Sequence, residues 1–249
     1  MRISPTELQA VRRAGMLTRF GLLGPVAFIM VELSESGTVG TGLDEACLTD
    51  HHGLVTRGWF AVHHADGRSE TFKAGDAFYV PEGPPPHTFS GSPGCHVQGF
   101  AVVPADTDTS TEGLRALGFE TADTPDPVGP PPTTVTLRGS VDPFHRTGAI
   151  EVEGSRMGPW LFMRARFGPR GGYTSGWCDL THWGLVLEGE VAIQRSDSTE
   201  LAGRGDVYHV EPGHRFTSPD GATIWVSASE WTPPSRPPLA TPTTHAPFW

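Results

Sequence analysis

After Phe20, short runs of apolar or alternating residues are separated by Gly, Pro, Asp and Ser. This punctuation is typical of β-strands, because a strand shows its side chains to alternate faces and ends at a turn residue. The high content of glycine (31 residues) and proline (24) agrees with many turns and argues against a helical bundle. The pattern predicts strands over 26–33, 53–63, 77–80, 96–103, from 134 onward, 159–167, 184–194, 207–210 and 223–230.

The first residues carry a different pattern. Ser4, Pro5 and Glu7 form a helix-start signal, with a capping residue, a proline in the first turn and an acidic side chain three positions after the cap. The apolar residues that follow have helical spacing, which predicts an amphipathic helix within 1–19. These apolar residues are Leu8, Val11, Ala14 and Leu17.

Composition divides the remaining chain into two strand-rich halves. Residues 105–134 are rich in Pro, Asp and Thr, which predicts a linker, and 232–249 form a proline-rich tail. The predicted organisation is therefore a helix (1–19), a first strand-rich domain (20–104), a linker, a second strand-rich domain (135–231) and a tail.

Charge and cysteine content exclude several classes of protein. The net charge is −10 and Lys and Arg form no cluster, so nucleic acid and anionic membranes are not expected partners. No apolar run reaches the length of a membrane helix and no secretory signal is recognised, so the expected location is the cytoplasm. The three cysteines, an odd number, are expected to be free thiols or metal ligands.

The two halves repeat each other in sequence. Residues 47–62 and 178–193 agree without a gap at seven of 16 positions: Cys, His, Gly, Leu, Val, Gly and Ala. A second pair of segments, beginning at Gly75 and Gly205, each continues with Asp and ends at a histidine, His87 or His214. The sequence therefore predicts an internal duplication.

These segments resemble the two sequence motifs of the cupin superfamily. His51-x6-Gly58 and His182-x6-Gly189 have the spacing of E-x6-G in the first motif, and Cys47 and Cys178 stand where the family has a histidine. His87 and His214 stand close to the histidine of the second motif. The string from Cys178 to Gly189 is also similar to a group of small bacterial cupins. The resemblance implies an all-β fold of two tandem cupin (double-stranded β-helix, or jelly-roll) barrels.

Cupins commonly hold a divalent metal inside the barrel, and the resemblance carries that role to matching positions. The candidate metal ligands are Cys178, His182 and His214 in the C-terminal half and Cys47, His51 and His87 in the N-terminal half. One thiolate and two imidazoles suit Zn²⁺, iron or copper as the cofactor. The alternative is that each Cys is a small core residue and each His a hydrogen-bonded polar one, without metal.

The C-terminal half also carries candidate ligand-binding residues. Aromatic side chains near a barrel mouth hold organic ligands, and arginines there favour an anionic or carbonyl-bearing one. His63 and His64, ahead of Asp66-Gly67, are interpreted as the shoulder of a hairpin. The candidates for ligand binding are Trp183, Trp225, Tyr173, Arg164 and Arg166.

No nucleophile elbow, P-loop, dinucleotide fingerprint or H-E-x-x-H motif is present. The sequence therefore predicts a metal-binding bicupin, an enzyme of the oxygenase, isomerase or lyase type that acts on a small organic molecule in the C-terminal barrel. The alternatives are a small-molecule-binding bicupin without catalysis and a metal-free structural one. No catalytic acid or base is assigned, and both a monomer and a homodimer are compatible with the sequence.

Overall fold

The computed structural model describes residues 1–13, 16–24, 26–33, 50–83, 85–102, 120–121, 135–137, 142–147, 149–172 and 177–229. Regular structure in these residues is β-strand, apart from one turn of 3-10 helix at Pro5–Glu7. No helix in this part of the chain is long and apolar enough to cross a membrane. The first strands are β1 (Arg2–Ile3), β2 (Gln9–Arg13), β3 (Met16–Leu23), β4 (Val26–Leu33), β5 (His51–Arg57), β6 (Trp59–His64), β7 (Ser69–Lys73), β8 (Ala77–Val80), β9 (His87–Gly91), β10 (His96–Val102) and β11 (Glu120–Thr121).

The remaining strands follow the same short pattern, except for one long strand, β16. They are β12 (Asp142–Thr147), β13 (Ile150–Met157), β14 (Trp160–Phe167), β15 (Gly171–Gly172), β16 (Thr181–Gln194), β17 (Thr199–Gly203), β18 (Val207–Val210), β19 (Arg215–Ser218) and β20 (Ala222–Ser229). The predicted strands 26–33, 77–80 and 207–210 are confirmed with identical bounds. The predicted strand 53–63 is two strands, β5 and β6, separated by Gly58.

The chain divides into two compact units. The N-terminal unit contains Leu8–Pro127 and Pro233–Trp249, and the C-terminal unit contains Met1–Glu7 and Val128–Thr232. The N-terminal unit has a seven-stranded sheet in the order β11-β2-β3-β4-β10-β5-β8 and a three-stranded sheet in the order β7-β6-β9. A buried apolar cluster that includes Phe20, Val55, Phe72 and Phe78 forms its core.

In the C-terminal unit, β16 takes part in two ladders. Its first half pairs with β18 and β20, and its second half pairs with β17 and β19. The register shifts between Val186 and Glu188, so the long strand changes neighbours at an irregular point. The core of this unit is apolar and includes Val186, Ile193 and Phe216.

The predicted N-terminal helix is not formed. Its start signal is real but short: the Ser4 amide donates to Glu7 Oε2 at 2.7 Å and the Glu7 amide donates to the Ser4 carbonyl at 3.0 Å. The chain then enters β2, which pairs with β3 so that Arg13 lies opposite Met16. Sheet pairing outweighs the helical spacing here, because long-range hydrogen bonds and burial override local preference.

The motif glycines of the two units share one backbone conformation. Gly58 and Gly189, which end the E-x6-G-like segments, have φ of 76° and 73°. Gly83 and Gly213, in the second motif, have φ of 91° and 88°. Glycine is required at such angles because a Cβ atom makes the left-handed region costly.

Gly189→Ala is expected to destabilise the C-terminal unit by at least about 3 kcal/mol, since left-handed strain alone costs about 1–2 kcal/mol. A Cβ atom at Gly189 would lie 2.1 Å from the Gly221 carbonyl oxygen, which is backbone and cannot turn away. Gly213→Ala is the matched control, because Gly213 also has positive φ but no atom within 4 Å of the added Cβ. Denaturant midpoints of the two variants measure the difference, and equal losses would contradict the close packing.

Candidate metal centre

Cys178 and His214 lie on backbone segments that pair with each other. The Cys178 amide donates to the His214 carbonyl at 2.7 Å, and the Gly213 amide donates to the Cys178 carbonyl at 2.8 Å. The two residues face each other in an antiparallel bridge. Opposed residues of an antiparallel pair show their side chains to the same face, so the thiol lies beside the imidazole.

His182 joins this pair from the start of β16. β16 begins at Thr181 and the chain bends at Leu180, so Cys178 lies before the strand that carries His182. The bend nevertheless brings the two side chains into contact, with His182 Nε2 3.0 Å from Cys178 Sγ. The rings of His182 and His214 meet edge to face, with centroids 4.9 Å apart.

The spacing of the three side chains suits a metal ion. One ligand atom each from Cys178, His182 and His214 lies within 4.8 Å of the others, the one such group of three in the described ranges. Around a tetrahedral Zn²⁺, with Zn–S of about 2.3 Å and Zn–N of about 2.0–2.1 Å, the ligand atoms are roughly 3.3–3.6 Å apart. The donor set therefore fits a first-row transition ion after small side-chain movements.

The orientation of His214 is fixed by its backbone. Its Nδ1 lies 2.6 Å from the Glu211 carbonyl oxygen, and a carbonyl only accepts, so Nδ1 carries the proton and donates it. In the neutral ring Nε2 then has a lone pair, and this atom is buried without a hydrogen-bond partner. Metal-binding histidines commonly have this arrangement, with one ring nitrogen on a carbonyl and the other directed at the ion.

Burial sets the charge state of the group. Burial lowers the pKa of His182 to about 3, and the neighbouring His214 adds to the effect. Burial also lowers the pKa of His214, although its bond to Glu211 opposes the shift. Both imidazoles are consequently neutral near pH 7, which is the form that binds metal.

The thiol of Cys178 shows the opposite shift. Burial raises its pKa, the Leu180 amide partly opposes this, and Asp179 raises it further. A thiolate–imidazolium dyad needs a low cysteine pKa and a charged histidine, and both shifts disfavour that pair. The contact between Cys178 and His182 therefore suits a metal, which deprotonates the thiol on binding, rather than a cysteine nucleophile.

The N-terminal unit places His51 and His87 in a similar way. Their rings meet edge to face with centroids 5.5 Å apart, and Phe89 packs against both. Phe216 packs in the same manner against His182 and His214. His87 is 1% exposed and neither of its ring nitrogens has a hydrogen-bond partner. Cys47, the predicted third ligand, lies outside the described residues.

The two predicted ligand-binding arginines lie away from this group. In β14, Ala165 and Phe167 belong to the apolar core, so Arg164 and Arg166 are on the opposite face. Arg164 pairs with Glu153 and donates to the Val135 carbonyl at 2.9 Å. Arg166 lies 3.8 Å from the Glu151 carboxylate. The structure thus gives both arginines cross-strand partners and does not bring them to Cys178.

The predicted tryptophans also face away. Trp183 follows His182 in β16 and stacks on His209, with centroids 5.1 Å apart. Trp225 lies between the core residues Ile224 and Val226 of β20, so it is on the opposite face, and its ring stacks on Phe162. Successive side chains of a strand alternate between faces, which separates both rings from the three ligands. Tyr173 lies outside the described residues.

Two basic residues near the second-motif histidines were not singled out by the sequence. His64, interpreted as a hairpin shoulder, does precede the hairpin between β6 and β7, but it is buried and lies opposite His87. Arg195 is the next residue after β16 and lowers the pKa of His214 by its charge. His64 and Arg195 are 131 residues apart, the same offset as between Cys47 and Cys178. The internal repeat could therefore have identified them as equivalent positions.

Comparison with known proteins identifies the fold. No protein-family model and no curated protein matches the chain. Among solved structures, the formate complex of Lactobacillus farciminis oxalate decarboxylase matches with a TM-score of 0.65 and 15% identity, over 92% of this chain and 86% of that chain. Bacillus subtilis oxalate decarboxylase, in a study of its Mn(II) centres, matches with a TM-score of 0.63 and 14% identity, over 92% and 77%. The chain has a cupin-type fold.

Within that fold, the site positions can be compared with the cupin motifs. The sequence resemblance implies that Cys178, His182 and His214 are metal ligands, and the structure brings these three residues together. The identity of about 15% shows the fold alone, so chemistry has to be argued from the residues of this chain.

Proposed function

We propose that the protein binds a divalent transition metal at Cys178, His182 and His214. The observation that carries the proposal is His214 Nε2, a buried atom without a hydrogen-bond partner on a residue that is grouped within ligand distance of a thiol and a second neutral imidazole. A buried polar atom without a hydrogen bond costs about 1–3 kcal/mol. Coordination of an ion would remove that cost and explain why three polar side chains converge above an apolar core.

We also propose that the chain is a bicupin, with one barrel in each unit. The repeated segments in the sequence, the matching left-handed glycines and the matching His–His–Phe clusters support an internal duplication. In the N-terminal barrel, a second metal site at Cys47, His51 and His87 stays a prediction. The two histidines are close enough to contribute to it, and the metal content per chain tests it.

The donor set narrows the choice of metal by chemistry. Thiolate and imidazole suit zinc, iron and copper, whereas manganese prefers carboxylate, carbonyl and water oxygens. Mn(II) centres are named for the oxalate decarboxylase of Bacillus subtilis, whose ligands need not be those of this chain. The proposal is therefore a divalent transition metal, with zinc, iron and copper as the candidates that the residues favour.

The function we propose is that of an enzyme acting on a small organic molecule in the C-terminal barrel. Three protein ligands leave a coordination position for a substrate, and a bound ion would act there as a Lewis acid. The neutral imidazoles of His182 and His214 add no charge to the site, and Phe216 of the apolar core packs against both rings. Oxygenase and isomerase or lyase chemistry both remain within this proposal.

Elemental analysis of freshly purified, untagged protein tests the site. We expect one to two equivalents of a single transition metal per chain, with one equivalent lost in the Cys178→Ala/His214→Ala variant. If the wild-type protein carries two equivalents and the double variant carries one, the remaining equivalent is assigned to the N-terminal barrel. Wild-type protein that contains no metal and takes up no added Zn²⁺, Fe²⁺ or Cu²⁺ would overturn the proposal.

The second candidate function is ligand binding without turnover. It is favoured by the absence of an assigned acid or base among the described residues around Cys178. A metal-loaded protein that binds a small molecule but forms no product supports this candidate. In the metal-free structural alternative, Cys178→Ala and His182→Ala change the stability of the protein without changing its metal content.

A further inference from the structure

Arg195 is next to a row of residues that lie opposite one another on neighbouring backbone segments. This row includes His214 and Cys178. In the ladder between β16 and β19, Ile193 lies opposite Phe216 and Gln194 opposite Arg215. Arg195 is the first residue after β16, and the same register continued by one position would set it opposite His214. His214 in turn lies opposite Cys178. Arg195 shares a face with the core residue Ile193, since it is two residues further along the chain. On this register the Arg195 side chain is on the same face as the three proposed metal ligands.

The backbone and charge around Arg195 keep it in this place. Its amide donates to the Ser198 carbonyl at 2.8 Å, which continues the pairing of β16 and β17 into the turn. Its Nη1 is 3.5 Å from Glu200 Oε2, and the arginine side chain is 29% exposed. A guanidinium has five N–H donors, so this single long contact leaves several of them for a ligand.

The N-terminal unit has a basic residue, His64, at the position that corresponds to Arg195 in the C-terminal unit. His64 lies directly opposite His87 in the ladder of β6 and β9. His64 Nε2 is 3.9 Å from the Glu70 carboxylate, as Arg195 is paired with Glu200. Both units thus place a basic side chain with a glutamate partner beside the second-motif histidine, but only the C-terminal unit has a permanent cation there.

We infer that Arg195 makes the C-terminal site selective for organic anions by binding a carboxylate of the ligand next to the metal. This inference rests on the proposed metal site. The side chains beneath the row are apolar, including Ile193 and Phe216, so a carboxylate entering the site needs a cationic partner. Arginine provides one with paired N–H donors that match the two carboxylate oxygens.

Acetate binding to the Co²⁺-loaded protein tests the inference, because a ligand at the metal changes the visible spectrum of cobalt. We expect acetate to bind at least ten times more weakly to Arg195→Gln, with part of the affinity restored in Arg195→Lys. Arg215→Gln is the matched control, since it removes the same charge from the residue that follows His214 and begins β19, and the Arg215 side chain lies on the other face with Gln194. Acetamide, a neutral analogue, should bind weakly and equally to all four proteins.

The outcomes separate this inference from the proposed function. Equal acetate affinity in wild-type protein and Arg195→Gln, or no acetate binding by the wild type, overturns the role of Arg195 while the cobalt content still supports the metal site. A wild-type protein that binds no Co²⁺ overturns both. If Arg195→Gln does not fold, Arg195→Lys still decides, because loss of the paired donors alone should weaken acetate binding severalfold.

Discussion

Replacing Cys178 by serine is expected to weaken Co²⁺ binding by at least about a hundredfold, since even the loss of a residue behind a metal ligand costs roughly 10–100-fold. Serine keeps the size of the side chain but its hydroxyl does not ionise near neutral pH. The intense near-ultraviolet absorption that a cobalt–thiolate bond produces should disappear in the same variant. His182 and His214 alone would leave a site with two protein ligands, too few for an open catalytic centre.

Cys95 provides the matched control for this substitution. It is a buried thiol with no exposed surface, belongs to the core of the N-terminal unit, and is not part of the Cys178 group. Cys95→Ser should lower stability, because it buries a hydroxyl, yet leave cobalt affinity and the thiolate absorption unchanged. A Cys178→Ser protein with wild-type cobalt affinity would show that the thiol is an ordinary core residue.

The second large effect is a loss of stability in mild acid. Burial lowers the pKa of His52 to about 3 and of His96 to about 4, from an ordinary value of 6.5. Below pH 6.5 the unfolded chain binds protons that the native chain does not, so the free energy of unfolding falls as the pH decreases toward 4. Each such histidine contributes up to about 1.4 kcal/mol per pH unit. The same shift occurs at His51, His87 and His182.

These contributions add in one direction, and a domain's whole stability is about 5–15 kcal/mol, so we expect unfolding well above pH 4. Urea denaturation at half-unit steps between pH 7.5 and 5 measures the slope. His96→Gln should reduce it by up to about 1.4 kcal/mol per pH unit. His63→Gln, which replaces an exposed histidine of the same unit, controls for the substitution itself. A flat stability profile between pH 7 and 5 would show that the buried histidines accept protons in the folded state.

Much of the fold could be predicted because strands and turns leave strong local signals. Alternation and bounding Gly or Pro located β4, β8 and β18 without error. The N-terminal helix failed for a physical reason: the capping signal specifies only the first turn, and whether a helix continues depends on what the sheet offers the next residues. Val11 gains burial from the pairing of β2 with β3 and is nearly inaccessible to solvent. Leu8, at the bend before β2, is also buried.

The candidate site could be predicted only in part. The repeat and the motif spacing selected Cys178, His182 and His214, and the structure brings all three together. The repeat and the motif spacing could not identify Arg195, because its place beside His214 depends on the register of β16 against β19. They also could not identify the Glu211 carbonyl that orients His214. The sequence alone could have placed Trp183 away from the metal ligands, because it directly follows His182 and neighbouring residues of a strand face opposite sides.

X-ray absorption of the Zn²⁺-loaded protein at the zinc edge identifies the atoms bound to the metal. We expect one sulfur at about 2.3 Å and two imidazole nitrogens at about 2.0–2.1 Å, with the remaining position filled by a light atom. In Cys178→Ala, the sulfur contribution should be absent from any zinc that is retained. A wild-type spectrum without sulfur, or one that is identical in Cys178→Ala, would contradict a metal centre at Cys178, His182 and His214.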